Sequence, residues 1–236
     1  LTILEKVFRS QEPEYRFSVF GFRFCSAFWM VWVVLLLGVL VFSGTTGLAA
    51  EQIRILALGD SLTEGFGVDE TEAYPAVLEQ LLLQKSYSIR IINGGVSGST
   101  SASALSRLKW YARIKPHFLI LALGANDGLR GLSVERMKSN LGAVIAFAKE
   151  RGMVVLLAGM QMPKNYGAEY TTTFRNAFPE LAETHEIVLL PFLLEGVGGL
   201  PDKNLRDGIH PNPDGHQTIA RTMLRHLEPL LEQHVP

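Results

Sequence analysis

From residue 53 onward, short runs of β-branched and aliphatic residues alternate with longer stretches of helical periodicity. No other feature limits the possible folds as tightly. IRILAL (53–58), SIRIIN (88–93), HFLILAL (117–123), MVVLLAG (153–159) and IVLL (187–190) are expected strands. Between them, Tyr74, Val77, Leu78, Leu81 and Leu82 recur at helical spacing, as do Val134, Met137, Leu141, Val144, Ile145 and Ala148. SASALSRLKWYARI (101–114) and a stretch near 172–184 read as further helices, and an amphipathic helix near 213–233 closes the chain. Nearly continuous apolar strands are buried on both faces, which a parallel sheet achieves when crossover helices cover each side. The expected class is α/β, a three-layer α/β/α sandwich with a parallel sheet, spanning residues 51–236 as one domain.

Residues 1–50 follow a different rule. Phe24 to Ala50 contains no charged residue, Arg16 and Arg23 precede its apolar centre, and small residues follow in SGTTGLAAE. That order of charge, apolar core and small residues describes an export signal, and Gly47-Leu48-Ala49 suits a signal peptidase. The uncharged run also exceeds the roughly 20 residues needed to span a bilayer. Residues 1–50 are therefore expected to be a hydrophobic N-terminal leader helix. The first reading is a cleaved signal, with the domain periplasmic or secreted; the second is an inner-membrane anchor facing the periplasm; a buried core helix is the third. The single cysteine, Cys25, lies in this leader, so residues 51–236 have no internal disulfide. A net charge of −1 gives no basic footprint for nucleic acid. Any membrane contact is expected through the leader alone, if it is retained.

In open parallel sheets, ligands sit beyond the carboxyl ends of the strands. Four segments end strands or lie in loops able to reach that rim: GDS (59–61), NGGVSGST (93–100), GAND (124–127) and DGIH (207–210). Together they offer a hydroxyl, a glycine-rich turn, an amide side chain, and an acid beside an imidazole. Those are the parts of a serine esterase: nucleophile, oxyanion donors, and a base with its orienter. Each has a plainer reading. Ser61 is also a good helix cap, the glycines also make a tight turn, and Asn126 and Asp127 are also ordinary turn formers. Asp207, His210, Asp214 and His216 are metal-ligand types, but their spacing matches no familiar zinc pattern, so neither metal nor cofactor is expected. Residues 59–63 hold no Gly-x-Ser-x-Gly elbow, which argues against the ordinary α/β-hydrolase turn.

In this order, GDSLTEG, VSGST, GAND and DGIHP resemble the four sequence blocks of the SGNH hydrolases (GDSL esterases). The resemblance runs from about residue 53 to 233. GANDGLRG (124–131), MPKNYGAEY (162–170) and LLPFLLEGV (189–197) are similar to the bacterial periplasmic thioesterase/arylesterase/lysophospholipase subfamily. The resemblance implies a flavodoxin-like sandwich and hydrolysis of acyl esters or thioesters through an acyl-serine. It implies Ser61 as nucleophile, His210 as base and Asp207 as its orienter, with an oxyanion hole from the Ser61 and Gly98 backbone N–H groups and the Asn126 side chain. Leu129 and Leu132, in the loop after the oxyanion block, are candidates for seating the acyl chain, or equally for anchoring that loop to the core. The expected partner is a small acyl ester, thioester or lysophospholipid. A carbohydrate O-deacetylase, or a non-catalytic lipid- or glycan-binding module on the same scaffold, is the alternative.

Overall fold

A computed structural model describes residues 52–234, and the expected leader lies outside them. Five strands form one parallel sheet: β1 (Ile53–Gly59), β2 (Ile89–Gly95), β3 (Phe118–Ala122), β4 (Val154–Ala158) and β5 (Val188–Leu190), in the order β2-β1-β3-β4-β5. That is the order of flavodoxin-type doubly wound sheets. β3 is buried at every position and β1 at all but one, as their unbroken apolar runs require. Among the described residues, no helix is long and apolar enough to cross a membrane.

The order dictates where the helices go. Right-handed crossovers place a helix on one face when the chain moves toward β2, and on the other when it moves toward β5. Accordingly α2 (Tyr74–Gln84), after the short α1 (Ser61–Glu64), covers the first face, where it packs against the closing helix α7 (Pro213–His234). α3 (Ala104–Tyr111), α5 (Val134–Lys149) and α6 (Ala168–His185) cover the second, with the short α4 (Ala125–Leu129) between β3 and α5. The expected helix over 101–114 is α3 alone, tightened into 3₁₀ turns at Ser101–Ser103 and Ala112–Ile114. No N-cap side chain serves these turns; their terminal backbone groups are met from elsewhere, the Ser101 N–H by Asp127 and the Trp110, Ile114 and Lys115 carbonyls by Arg113 and Arg54.

β1 sits between β2 and β3, so the connections leaving β1 and β3 diverge to opposite faces. This divergence opens a crevice at the carboxyl ends, where doubly wound sheets hold their ligands.

Candidate active site

β1 stops at Gly59 and the chain turns directly into α1. The cap of α1 is Asp60, whose Oδ1 accepts the Leu62 N–H at 3.1 Å. The capping role that one reading gave to Ser61 thus falls to its neighbour, and the Ser61 hydroxyl is left for other work. α1 can lie this close to β2 only because residue 95 is glycine; a Cβ there would sit 2.1 Å from the Glu64 nitrogen. Beneath the turn, the Arg107 guanidinium donates to the Gly59 carbonyl at 2.9 Å and to that of Gly94. It therefore pins together the carboxyl ends of β1 and β2.

The Ser61 Oγ lies 3.0 Å from the His210 Nε2, across 149 residues of chain. The His210 Nδ1 lies 2.7 Å from the Asp207 Oδ2. The other oxygen of Asp207 accepts the backbone N–H groups of Ile209 and His210, each at 3.0 Å. The His210 side-chain bond, then these two N–H bonds, hold the Asp207 carboxyl down to about 2, so it is ionised throughout the neutral range. An ionised Asp207 fixes the proton on Nδ1 and leaves Nε2 to accept from the Ser61 hydroxyl. The Phe66 ring, 4.5 Å from that of His210, covers one face of the imidazole.

Gly98 and Asn126 converge on the same crevice. The turn after β2 closes through a Ser99 N–H bond to the Val96 carbonyl, with Gly98 at a φ of 74° that other residues rarely adopt. Asn126 lies in α4, and its Nδ2 donates one hydrogen to the Asp60 Oδ2 at 3.3 Å, so its second remains available. Among the described residues, neither the Ser61 nor the Gly98 backbone N–H has a hydrogen-bond partner. Asp127, which sequence reasoning offered only as a turn former, is buried and accepts both the backbone N–H (2.8 Å) and the hydroxyl (2.6 Å) of Ser101. It ties the turn after β2 to α4, and so fixes Gly98 relative to Asn126.

The cavity at these residues has a volume of about 600 Å³. Its polar end holds Ser61, Asn126 and His210, while Met160, Met162, Phe192 and Leu194, from the loops after β4 and β5, supply much of its apolar wall. Leu129 also lines it. Leu132 is not among the lining residues; it is exposed and its carbonyl accepts the Tyr170 hydroxyl at 2.9 Å. The two methionines and Phe192 went unread as site residues. Their signals were their place just after the apolar runs of β4 and β5 and, for Met162 and Phe192, the segments MPKNYGAEY and LLPFLLEGV that carry the subfamily resemblance. Asp214 and His216 do not join Asp207 and His210: His216 is turned into the core, where its Nδ1 accepts the Tyr74 N–H at 3.2 Å.

Two buried groups near the site titrate in opposite senses. Burial, partly offset by the hydrogen bonds from Leu62 and Asn126, pushes the Asp60 carboxyl up to about 6. Burial pushes the His216 imidazole down to about 4. Asp60 therefore contributes stability that is fully present below its unfolded value of 3.8 and lost as pH rises through about 6. His216 contributes stability present above 6.5 and lost as pH falls through about 4, so the two nearly cancel. Asp60→Asn removes one side of this balance. Relative to wild type, the variant is expected to gain about 3 kcal/mol between pH 4 and pH 6. Thermal or urea unfolding at several pH values reads that difference, and a pH-independent gap between the two proteins would refute it.

A parallel sheet of this order, carrying a hydroxyl–imidazole–carboxylate chain beyond its carboxyl ends, is the architecture of a serine hydrolase of SGNH type. The chain belongs to the GDSL-like lipase/acylhydrolase family, whose model matches residues 57–218. It is 37% identical over 199 residues to esterase TesA of Pseudomonas aeruginosa, covering 84% of this chain and 98% of that one. It is 35% identical over 184 residues to thioesterase 1/protease 1/lysophospholipase L1 of Escherichia coli, covering 78% of this chain and 87% of that one. A crystal structure of TesA superimposes with a TM-score of 0.73 at 35% identity, over 75% of this chain and 99% of the other.

Proposed function

We propose that the protein hydrolyses acyl esters and thioesters through an acyl-serine intermediate, with Ser61, His210 and Asp207 as its triad. The observation that carries this reading is the 3.0 Å approach of the His210 Nε2 to the Ser61 Oγ, at the polar end of an apolar cavity. A serine hydroxyl is a weak nucleophile until an adjacent imidazole takes its proton. Attack on the acyl carbon expels the alcohol or thiol, which takes that proton from His210. Water, deprotonated in turn by His210, then releases the carboxylate and restores Ser61. The Ser61 and Gly98 N–H groups and the Asn126 amide serve as the oxyanion donors, for which their unused hydrogens are suited.

The apolar wall favours an acyl chain over the acetyl group of a carbohydrate. Each methylene removed from water contributes about 0.8 kcal/mol, so catalytic efficiency should climb with chain length until the cavity is filled. Leu129 lies where the growing chain would run, and Leu132 is proposed only as its outer continuation. The test is a p-nitrophenyl ester series from acetyl to long chains, beside an acetylated sugar. Efficiency highest for acetyl and falling steadily toward octanoyl would establish the O-deacetylase reading instead.

The leader over residues 1–50 carries the domain across the inner membrane. Its uncharged run and flanking arginines support this reading. N-terminal sequencing of the exported protein distinguishes a mature start near Ala50 from a retained anchor. Protein found only in the cytoplasm would refute export.

A further inference from the structure

At the end of the sheet opposite the cavity, the chain enters β1 from Gln52, two residues after the uncharged run ends at Ala50. The surface around this entry combines exposed apolar side chains with cations. Trp110 is 60% exposed and Ile114 41%. The Arg113 guanidinium stacks 4.8 Å from the Trp110 ring centre. Across the end of α5, Arg151 lies over the Phe147 ring at 3.5 Å and the Lys109 Nζ at 5.8 Å. The patch is continuous with the entry strand. Arg54 of β1 donates to the Ile114 and Lys115 carbonyls, and the backbone runs on through the His117 N–H bond to Arg54.

Around the end of α3 the charge is mostly positive, while Glu228 and Glu232 of α7 bring carboxylates to the same end of the sheet beside Lys85 and Tyr87. Lys109, Arg113 and Lys115 are exposed and form no ion pair among the described residues. Glu150, which lies 3.7 Å from Arg151, is the carboxylate in the patch, while Glu183 and Glu186 lie beyond it at the end of α6. The opposite end is also apolar, but there Phe66, Leu129 and Ile209 line the cavity and are accounted for by a substrate. Asp60, Glu64 and Asp207 bring carboxylates to that end.

We propose that the face formed by Lys109, Trp110, Arg113, Ile114 and Lys115 rests on an anionic lipid bilayer, with the cavity directed away from it. Tryptophan and cationic side chains together suit the headgroup region, where an indole finds both an apolar and a polar environment. A retained leader would tether the domain near the bilayer, and the cations of this face would then draw it onto an anionic surface. β1 is seven residues long, which puts the cavity end roughly 20 Å farther out. The placement uses the leader reading only for proximity. The catalytic reading is independent of it.

The test uses the full chain with Trp29→Phe and Trp32→Phe, which leaves Trp110 as the single tryptophan. It is reconstituted into vesicles of phosphatidylcholine, with or without phosphatidylglycerol, whose acyl chains are brominated near the headgroup. Trp110 emission, relative to unbrominated vesicles, is expected to be quenched in the anionic vesicles and little affected in the neutral ones. The triple variant Lys109→Gln, Arg113→Gln, Lys115→Asn should return to the neutral-vesicle value with ester turnover unchanged. Asparagine is chosen at 115 because that residue holds a φ of 49°. Each basic residue close to an anionic surface strengthens association about fivefold, so the triple change should weaken it about a hundredfold. Equal quenching in both lipids, none in either, or a triple variant that behaves like its parent would each overturn the proposal. Lost turnover with quenching intact would instead count against the catalytic reading alone.

Discussion

Ser61→Ala is expected to lower ester turnover by about 10⁶-fold, in line with nucleophile removal in other serine hydrolases. The change deletes the one atom that His210 addresses at 3.0 Å and little else. Asp60, not Ser61, caps α1, so no cap is lost, and alanine is the best helix former for the position Ser61 vacates. Unfolding temperature should therefore hardly move while acylation stops. Any residual rate over water should reflect the oxyanion donors and binding alone. Steady-state kinetics with a p-nitrophenyl ester measures the loss. Intact-mass analysis after treatment with a serine-directed phosphonate identifies the atom, and an adduct on Ser61→Ala would remove Ser61 from the role.

Asn126→Ala should reduce turnover by about 10²–10³ with little change in the Michaelis constant, because a donor to the oxyanion acts most strongly as charge develops. Its neighbour sharpens the companion experiment. The Asn126 amide donates to the buried Asp60 carboxyl at 3.3 Å. Asn126→Asp would set two carboxyls at that separation, and like charges so close cannot both ionise. One of them must keep a proton, and an ionised carboxylate at position 126 would repel the oxyanion it is meant to stabilise. The aspartate variant is expected to be no more active than the alanine one, and to lose stability as pH rises past neutrality. If Asn126 merely formed a turn, aspartate would substitute well and alanine would lower the unfolding temperature while sparing turnover. Near-normal turnover in Asn126→Asp therefore decides against an oxyanion role.

All five strands begin and end within two residues of their apolar runs, because burial on both faces leaves an unbroken signature. The long helices were equally legible from their spacing. α1 and α4 were not, since four or five residues do not complete enough turns to show a period. The same brevity hid the division of labour within each motif. Adjacent residues at a helix start point about 100° apart, so Gly-Asp-Ser could not reveal that Asp60 caps while Ser61 faces the imidazole. Nor could Asn-Asp reveal that Asn126 turns to the cavity while Asp127 turns inward to Ser101. The apolar wall was hidden for another reason. Met160, Met162, Phe192 and Leu194 meet the serine only because β4 lies in register beside β3 and β5 beside β4, a tertiary fact that the sequence does not state.

Asp207 and His210 are three residues apart and are joined to each other by two hydrogen bonds, with a third from the Ile209 N–H to Asp207 in the same loop. Among the described residues, the serine–imidazole bond is the one hydrogen bond that this pair makes outside its own loop, beside the contact of the Phe66 ring with the imidazole. Asp207 and His210 thus form a self-contained cartridge. A displacement of that loop would withdraw an already oriented imidazole from Ser61 without scrambling it, so activity should return as soon as the loop reseats. For protein engineering this makes residues 207–210 a transplantable unit. A host scaffold would need to satisfy one distance to a serine, not the geometry of three separate side chains.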